Sequence, residues 1–299
     1  MTQLIKSVLV LLAASVSLIQ AQAPGKPSPS PSPKPPPPPC LIKDIRQMDV
    51  SGCTCEPHSS KCDKTGCMTC KANIENRHTK HCAVGCTDDD KECQGCGLWF
   101  STLCNCLKYQ DCKHTGTITP HGDSIFVLTN NGEQLITTTD LLPGILEARN
   151  ATRYEPGWRF AQEHYNRANQ ALALNSVRSR THEQFHIHVC NRPNSTDPRI
   201  LDILDNIPKS QHIYGKDLKK VGNHDDLYCR TIEKGQTPIV YDFVTAIDAI
   251  LDDKTLNEVG KICHGFAGAG IIQDSHGNVW ACVTGNREGP LFRFCEGQK

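Results

Sequence analysis

Apolar and polar residues alternate in several short runs in the second half of the chain, a pattern that predicts half-buried β-strands. The first two runs, Ser124–Asn130 and Glu133–Thr139, flank Asn131-Gly132, a turn sequence typical of a two-residue β-hairpin. Later runs predict further strands at Ala171–Asn175 and Gln184–Cys190, and a second hairpin at Gly270–Gln273 and Asn278–Thr284.

Apolar residues recur every three to four positions in other segments, which predicts helices. These segments are Gly157–Asn169, Pro198–Ile207, which we expect Asp197 to open as a cap, and Ile239–Leu251. Helices and strands are mixed without a regular strand–helix–strand alternation. The pattern therefore predicts an α+β fold with an antiparallel sheet.

The first residues have the layout of a secretory signal peptide. Lys6 precedes an apolar run over Ser7–Ile19, and the small residues Ala21 and Ala23 follow. The apolar run is short for a membrane span, and the alternative is an uncleaved N-terminal anchor. We predict a signal peptide at 1–21 and an extracellular protein.

A Pro/Ser-rich stretch follows at 22–39, with the sequence PGKPSPSPSPKPPPPP over its last part. Such a composition cannot pack a core and favours an extended linker. We expect it to hold the rest of the chain away from a cell wall, a membrane surface or a neighbouring chain. Association with a wall or membrane surface through these N-terminal modules is the partner interaction that it suggests.

Thirteen of the 18 cysteines lie between Cys40 and Cys112, in a region with few large apolar residues. We predict a disulfide-rich module at 40–114, ahead of the α+β domain at 115–299. The spacing Cys67-x-x-Cys70 would suggest zinc in a cytosolic protein, but behind a signal peptide it favours disulfides. Since thirteen is odd, one of these cysteines should pair outside the module or remain free.

Two short sequons agree with export. Asn150-Ala151-Thr152 and Asn194-Ser195-Thr196 predict N-glycosylation at Asn150 and Asn194. The charge is balanced, with 32 basic and 32 acidic residues. This balance argues against nucleic acid as a partner, although a single phosphate-bearing ligand needs only a few local groups.

The segment Gln184–Cys190 carries the candidate chemistry. Side chains alternate along a strand, so His186, His188 and Cys190 should share one face, while the apolar residues between them enter the core. A neutral imidazole can attack phosphorus if its other nitrogen donates to a fixed acceptor. The polar loop just before this strand offers four candidate phosphate-binding side chains: Asn175, Arg180, Thr181 and His182.

Two other interpretations of the histidine pair stay open. Two histidines separated by one residue can bind a metal, with Cys190 or His182 completing the site. They can also be ordinary surface residues on a half-exposed strand. The candidate phosphate loop favours catalysis over both.

The segment Ala171–Pro193 resembles the bacterial CDP-diacylglycerol diphosphatase family, a branch of the histidine-triad superfamily. The matching pieces are Asn175-Ser176, Arg180-Thr181, Phe185-His186-Ile187-His188 and Arg192-Pro193. A looser similarity extends over residues 120–288, and the linker and cysteine-rich module have no counterpart. Two positions depart from the family pattern: Ser179 stands where the family has Gly, and His182 stands where it has Gln.

The resemblance implies a histidine-triad-like domain in which His188 is the nucleophile and His186 is the first triad histidine. It places Cys190 at the position of the third. The implied reaction releases CMP and phosphatidate from CDP-diacylglycerol, without cofactor or metal. A soluble nucleotide diphosphate ester is the alternative substrate. A non-catalytic, secreted binding or wall-associated protein on the same scaffold is the alternative function, and the oligomeric state is left open.

Overall fold

The computed structural model describes residues 34–38, 40, 42–55, 98–110, 114–117, 125–129, 134–139, 144–145, 148, 154–176, 179, 185–232, 239–252, 266–285 and 289–297. The predicted signal peptide lies outside the described residues. So do Asn150, Arg180, Thr181 and His182. Among the helices that are described, none has the length and apolar character needed to cross a membrane.

The chain divides into two units after Pro36. Of the first unit, residues 34–36 are described, and they are exposed and form neither helix nor strand. The second unit, residues 37–299, contains the described part of the cysteine-rich module together with the sheet.

A nine-stranded antiparallel sheet organises the described part of the second unit. Its strands are β1 (His114–Thr117), β2 (Ile125–Thr129), β3 (Gln134–Thr138), β4 (Gln170–Leu174), β5 (His186–Asn191), β6 (Lys219–Val221), β7 (His224–Ile232), β8 (Gly268–Gln273) and β9 (Val279–Thr284). The order across the sheet is β1-β2-β3-β5-β4-β8-β9-β7-β6. The two strand pairs predicted as hairpins are confirmed as β2–β3 and β8–β9. A two-residue turn at Asn131-Gly132, which lies outside the described residues, would pair Thr129 with Gln134, but Thr129 pairs with Leu135, so the register does not fit that turn.

Helices pack on the sheet, which confirms the α+β class. The described α-helices are α1 (Ile42–Arg46), α2 (Leu98–Tyr109), α3 (Glu155–Glu163), α4 (Ile200–Leu204), α5 (Phe243–Asp252) and α6 (Pro290–Phe294). A short 3-10 helix spans Lys209–Gln211.

The two faces of the sheet bury different clusters. On one face, Trp158 of α3 and Phe243 of α5 pack with Ile187 of β5 in the main core. On the other face, Trp280 of β9 packs with residues of α4 and α6. A third cluster joins helices α1 and α2 to Val127 and Leu135 of the sheet.

The helix predicted at Gly157–Asn169 is shorter than expected and ends at Glu163. Side-chain hydrogen bonds replace the helical ones after this point. The amide of Asn166 donates to Gln170 Oε1 at 2.7 Å, and its side-chain oxygen accepts from the amide of Ala168 at 3.1 Å. Asn side chains compete with helical hydrogen bonds in this way, which explains the early end.

The expected cap at Asp197 is wrong. Helix α4 begins at Ile200, after Arg199 with a φ of 46°, and no side chain caps it. The Asp197 carboxylate instead accepts from Arg199 Nε at 2.8 Å. Arg199 also donates to the carbonyl oxygens of Phe292 and Cys295, which ties this turn to the C-terminal helix.

Four disulfides join described cysteines: Cys40–Cys53, Cys55–Cys104, Cys190–Cys295 and Cys229–Cys282. The preference for disulfides over zinc is confirmed at these positions. Three of the sulfur atoms, on Cys40, Cys55 and Cys104, lie within 4.8 Å of one another because the first two bridges are adjacent. These first two bridges, Cys40–Cys53 and Cys55–Cys104, cross-link the small cluster that contains α1 and α2.

Candidate functional site

Strand β5 holds the two candidate histidines between two other strands. His188 is paired with Leu135 of β3 and with Ala173 of β4. The intervening residues Ile187 and Val189 lie in the main core on the opposite face. The alternation predicted from the sequence is therefore confirmed, and both histidines lie on the face away from the main core.

The two imidazoles are neighbours. Their ring centroids are 4.8 Å apart, and the rings meet edge to face at 69°. His186 is buried, whereas His188 is half-buried. Of the two, His188 is thus the histidine that a ligand can reach more easily.

The strand end beside His186 is held by a side chain. His186 pairs with Thr137 of β3, and the Thr137 hydroxyl donates to the carbonyl oxygen of Phe185 at 2.6 Å. Thr137 is fully buried. This bond fixes the start of β5 on a rigid element, as a catalytic group requires.

Asn175 directly follows β4 and reaches the candidate nucleophile. Its Nδ2 lies 3.3 Å from Nε2 of His188, and its side chain is buried. The structure therefore brings together Asn175, His186 and His188, three of the predicted site residues. Their positions in the chain alone did not show which nitrogen of His188 the amide would meet.

A compact serine turn follows Asn175. The hydroxyl oxygens of Ser176 and Ser179 lie 2.9 Å apart, and each backbone amide donates to the other residue's hydroxyl at 3.1 Å. Ser179 Oγ also donates to Asn175 Oδ1 at 3.2 Å. Sequence reasoning missed Ser179 as part of the site, although its spacing from Ser176 in a polar turn was a usable signal.

The C-terminal helix approaches this turn closely. A Cβ on Gly289, just before α6, would lie 2.7 Å from Ser179 Cβ, and Gly289 has a φ of +92°. Glycine satisfies both conditions because it has no side chain and adopts positive φ at little cost. The backbone at 289 therefore covers one side of the serine turn.

Cys190 is not available to a metal or a substrate as a thiol. It forms a disulfide with Cys295, next to the end of α6. The metal-site interpretation that used Cys190 as a ligand is therefore wrong, because a disulfide sulfur offers no thiolate. The bridge instead ties β5, two residues beyond His188, to the C-terminal segment.

The other predicted residues lie elsewhere or outside the described chain. Arg192 donates to the carbonyl oxygen of Gln273 at 2.7 Å and so fastens β5 to the β8–β9 hairpin. Asn194 is exposed, and its Oδ1 accepts from the Thr196 hydroxyl at 2.6 Å. Glycosylation there stays a prediction.

The described arrangement places Nε2 of the half-buried His188 beside the side-chain amide of Asn175. The amide of Asn175 can exchange its hydrogen bond to the imidazole nitrogen for one to a phosphoryl oxygen, and no charge changes when it does. Such a donor suits a phosphoryl-transfer site. The cationic part that the sequence predicts, Arg180, lies outside the described residues. Phosphate binding by that residue and by its two neighbours stays a prediction.

No family model matches this chain, and no curated protein matches it either. The resemblance to CDP-diacylglycerol diphosphatases therefore rests on the sequence motifs alone and stays a prediction.

Proposed function

We propose that this protein is a secreted hydrolase of nucleotide pyrophosphates of the histidine-triad type, acting on CDP-diacylglycerol or a related nucleotide diphosphate ester. The observation that carries the proposal is the 3.3 Å approach of Asn175 Nδ2 to Nε2 of the half-buried His188. In this arrangement the amide of Asn175 can bind a phosphate oxygen while the imidazole nitrogen of His188 attacks the phosphorus.

The proposed reaction has two steps. In the first, His188 Nε2 attacks the α-phosphorus of the nucleotide, a P–N bond forms, and the P–O bond to the β-phosphate breaks. The β-phosphate leaves with the rest of the substrate, as phosphatidate for CDP-diacylglycerol. In the second, water attacks the nucleotidyl-histidine, the P–N bond breaks, and CMP is released.

The chain's own residues supply the positioning. The sheet holds His188 against two neighbouring strands, and the Cys190–Cys295 bridge fixes the strand beyond it. In the proposed reaction, Asn175 donates to a phosphoryl oxygen as charge develops there. Loss of such a donor typically costs about a hundredfold or more in rate.

The choice of substrate within this class depends on the resemblance. The cysteine-rich module lies close to the site. Leu135, the β3 partner of His188, packs with helix α2 of that module. The module therefore borders the same sheet face as the histidines. A lipid-linked and a soluble nucleotide diphosphate ester are the two substrates to compare.

The direct test measures CMP release from CDP-diacylglycerol and from soluble CDP-alcohols by the purified full chain. We expect release by the wild type and at least a thousandfold less by His188→Ala, because the nucleophile is lost. His224→Ala is the matched control, since His224 is exposed on β7, and it should retain wild-type activity.

Three results would contradict the proposal. Equal release by the wild type and His188→Ala would exclude His188 as the nucleophile. No release from any nucleotide pyrophosphate would favour the non-catalytic binding function. Loss of activity on chelation, with recovery on addition of a divalent metal, would favour a metal site at the histidines.

A further inference from the structure

In the serine turn next to Asn175, Ser179 Oγ can donate its proton to Asn175 Oδ1 at 3.2 Å, a shorter contact than the 3.5 Å to the carbonyl oxygen of Ser176. A hydroxyl has one proton to donate and two lone pairs to accept with. Ser176 Oγ accepts from the amide of Ser179, and the two hydroxyl oxygens lie 2.9 Å apart. Ser179 Oγ accepts from the amide of Ser176 and lies 3.2 Å from Asn175 Oδ1.

These contacts orient the Asn175 amide. If Ser176 donates its hydroxyl proton to Ser179, both lone pairs of Ser179 Oγ are occupied, and its own proton goes to Asn175 Oδ1. The side-chain oxygen of Asn175 then faces Ser179, and its NH₂ group faces Nε2 of His188 at 3.3 Å. Because an NH₂ group only donates, Nε2 must be the nitrogen without a proton.

We propose that Ser179 is a positioning residue that, through the amide of Asn175, holds His188 in the tautomer whose Nε2 carries no proton and can attack phosphorus once the amide turns to the phosphate. The role rests on the proposed function. The proton of the neutral imidazole then resides on Nδ1. When a phosphate arrives, the Asn175 amide can transfer its hydrogen bond from Nε2 to a phosphoryl oxygen.

Burial and packing support this role. Asn175 and Ser176 are 5% and 1% exposed, so water competes poorly for their hydrogen bonds. Ser179 also lies close to Gly289, where an added Cβ would meet Ser179 Oγ at 2.9 Å. Ser179 occupies the position where the resembled family has glycine, so this hydrogen bond belongs to this chain and is not implied by the resemblance.

The test is a nitrogen NMR measurement on the full chain labelled with ¹⁵N-histidine, without substrate. The His188 signals are assigned by their loss in His188→Ala. In the wild type we expect Nδ1 protonated and Nε2 unprotonated. In Ser179→Ala the population should shift towards the Nε2–H form, and kcat/KM should fall about tenfold, as expected for one lost hydrogen bond.

A second variant reverses the expected effect. Asn175→Asp keeps the size of the side chain but presents only acceptors, so it should place the proton on Nε2. Ser275→Ala is the matched control because Ser275 bonds to Asp205 in the β8–β9 turn, and it should leave the His188 signals unchanged. If Ser179→Ala fails to fold, Ser179→Gly, which removes the same hydroxyl, takes its place with the same expected shift of the tautomer.

A wild-type His188 that carries its proton on Nε2 would overturn the inference. So would an unchanged tautomer in folded Ser179→Ala. The two proposals can fail separately, because the tautomer is read in the resting protein. A tautomer that responds to Ser179 in a protein inactive on every pyrophosphate would refute the hydrolase function and support the role of Ser179 in orienting His188.

Discussion

Glu155 shows how one residue can couple the fold to pH. It begins α3, and its Oε1 accepts from the amide of Thr245, in the first turn of α5, at 3.2 Å. Burial raises the pKa of Glu155 above its usual value of 4.5, although hydrogen bonds from amides of α5 act in the opposite direction. The carboxyl thus links two helices of the main core while being costly to ionise.

This balance predicts a pH-dependent stability. The pKa of Glu155 is higher in the folded than in the unfolded chain. Between these two pKa values, from about 4.5 upwards, the folded chain binds more protons than the unfolded chain, so the free energy of unfolding falls as the pH rises. In Glu155→Gln this contribution should be absent. Urea denaturation at a series of pH values should therefore show the wild type losing stability relative to the variant as the pH rises.

If the wild type instead gained stability relative to Glu155→Gln as the pH rises, the amide hydrogen bonds would outweigh burial at Glu155. Glu163→Gln is the control, since Glu163 is exposed at the other end of the same helix. It should leave the pH dependence close to that of the wild type.

At the scale of elements, α3 can approach the sheet because it carries a glycine at the contact. Gly157 is buried in the first turn of the helix, and a Cβ there would overlap the ring of Phe126 on β2. Phe126 in turn meets Phe185, next to β5, edge to face at 6.0 Å. The position of α3 is therefore linked through two aromatic rings to the histidine strand.

Gly157→Ala should destabilise the protein by about 1–3 kcal/mol, because overlap with Phe126 outweighs the gain in helix propensity. Thermal or urea denaturation measures the change. Gly52→Ala is the control, since a Cβ at Gly52 would meet no atom within 4 Å, and its stability should stay near that of the wild type. A neutral or stabilising Gly157→Ala would mean that the helix moves away from the sheet without cost.

At the scale of the whole molecule, the Cys190–Cys295 bridge closes a long loop of the chain. Its cysteines are 105 residues apart in sequence, whereas Cys40 and Cys53 are 13 apart. A cross-link restricts the unfolded chain more strongly when it closes a longer loop. The bridge also joins the histidine strand to the segment that follows α6.

The intact Cys229–Cys282 bridge shortens the loop that Cys190–Cys295 closes in the unfolded chain to about 50 residues. Replacement of both Cys190 and Cys295 by alanine should therefore cost about 4 kcal/mol of unfolding free energy, and the corresponding change at Cys40 and Cys53 about 1 kcal/mol less, because that loop is shorter. Denaturant unfolding of the two double variants compares them directly. An equal or smaller loss at Cys190 and Cys295 would show that loop closure does not dominate the effect of this bridge.

Local patterns predicted much of the described fold and part of the site. The alternation over Gln184–Cys190 placed His186 and His188 on one face because side chains alternate in any strand. The turn sequence Asn131-Gly132 between two alternating runs predicted the β2–β3 pairing for a similarly local reason, but not its register, in which Thr129 pairs with Leu135. Strand β7 was missed, because polar residues at its start, Asp225 and Asp226, obscure the alternation.

Tertiary structure decided the features that join distant segments. The sequence by itself determined the α+β class, the preference for disulfides and the face of the histidines, since composition and short-range periodicity encode these. Only the folded chain paired Cys190 with Cys295 and placed Asn175 Nδ2 beside His188 Nε2. Partners so far apart along the chain meet through strand register and helix packing, which no local pattern contains.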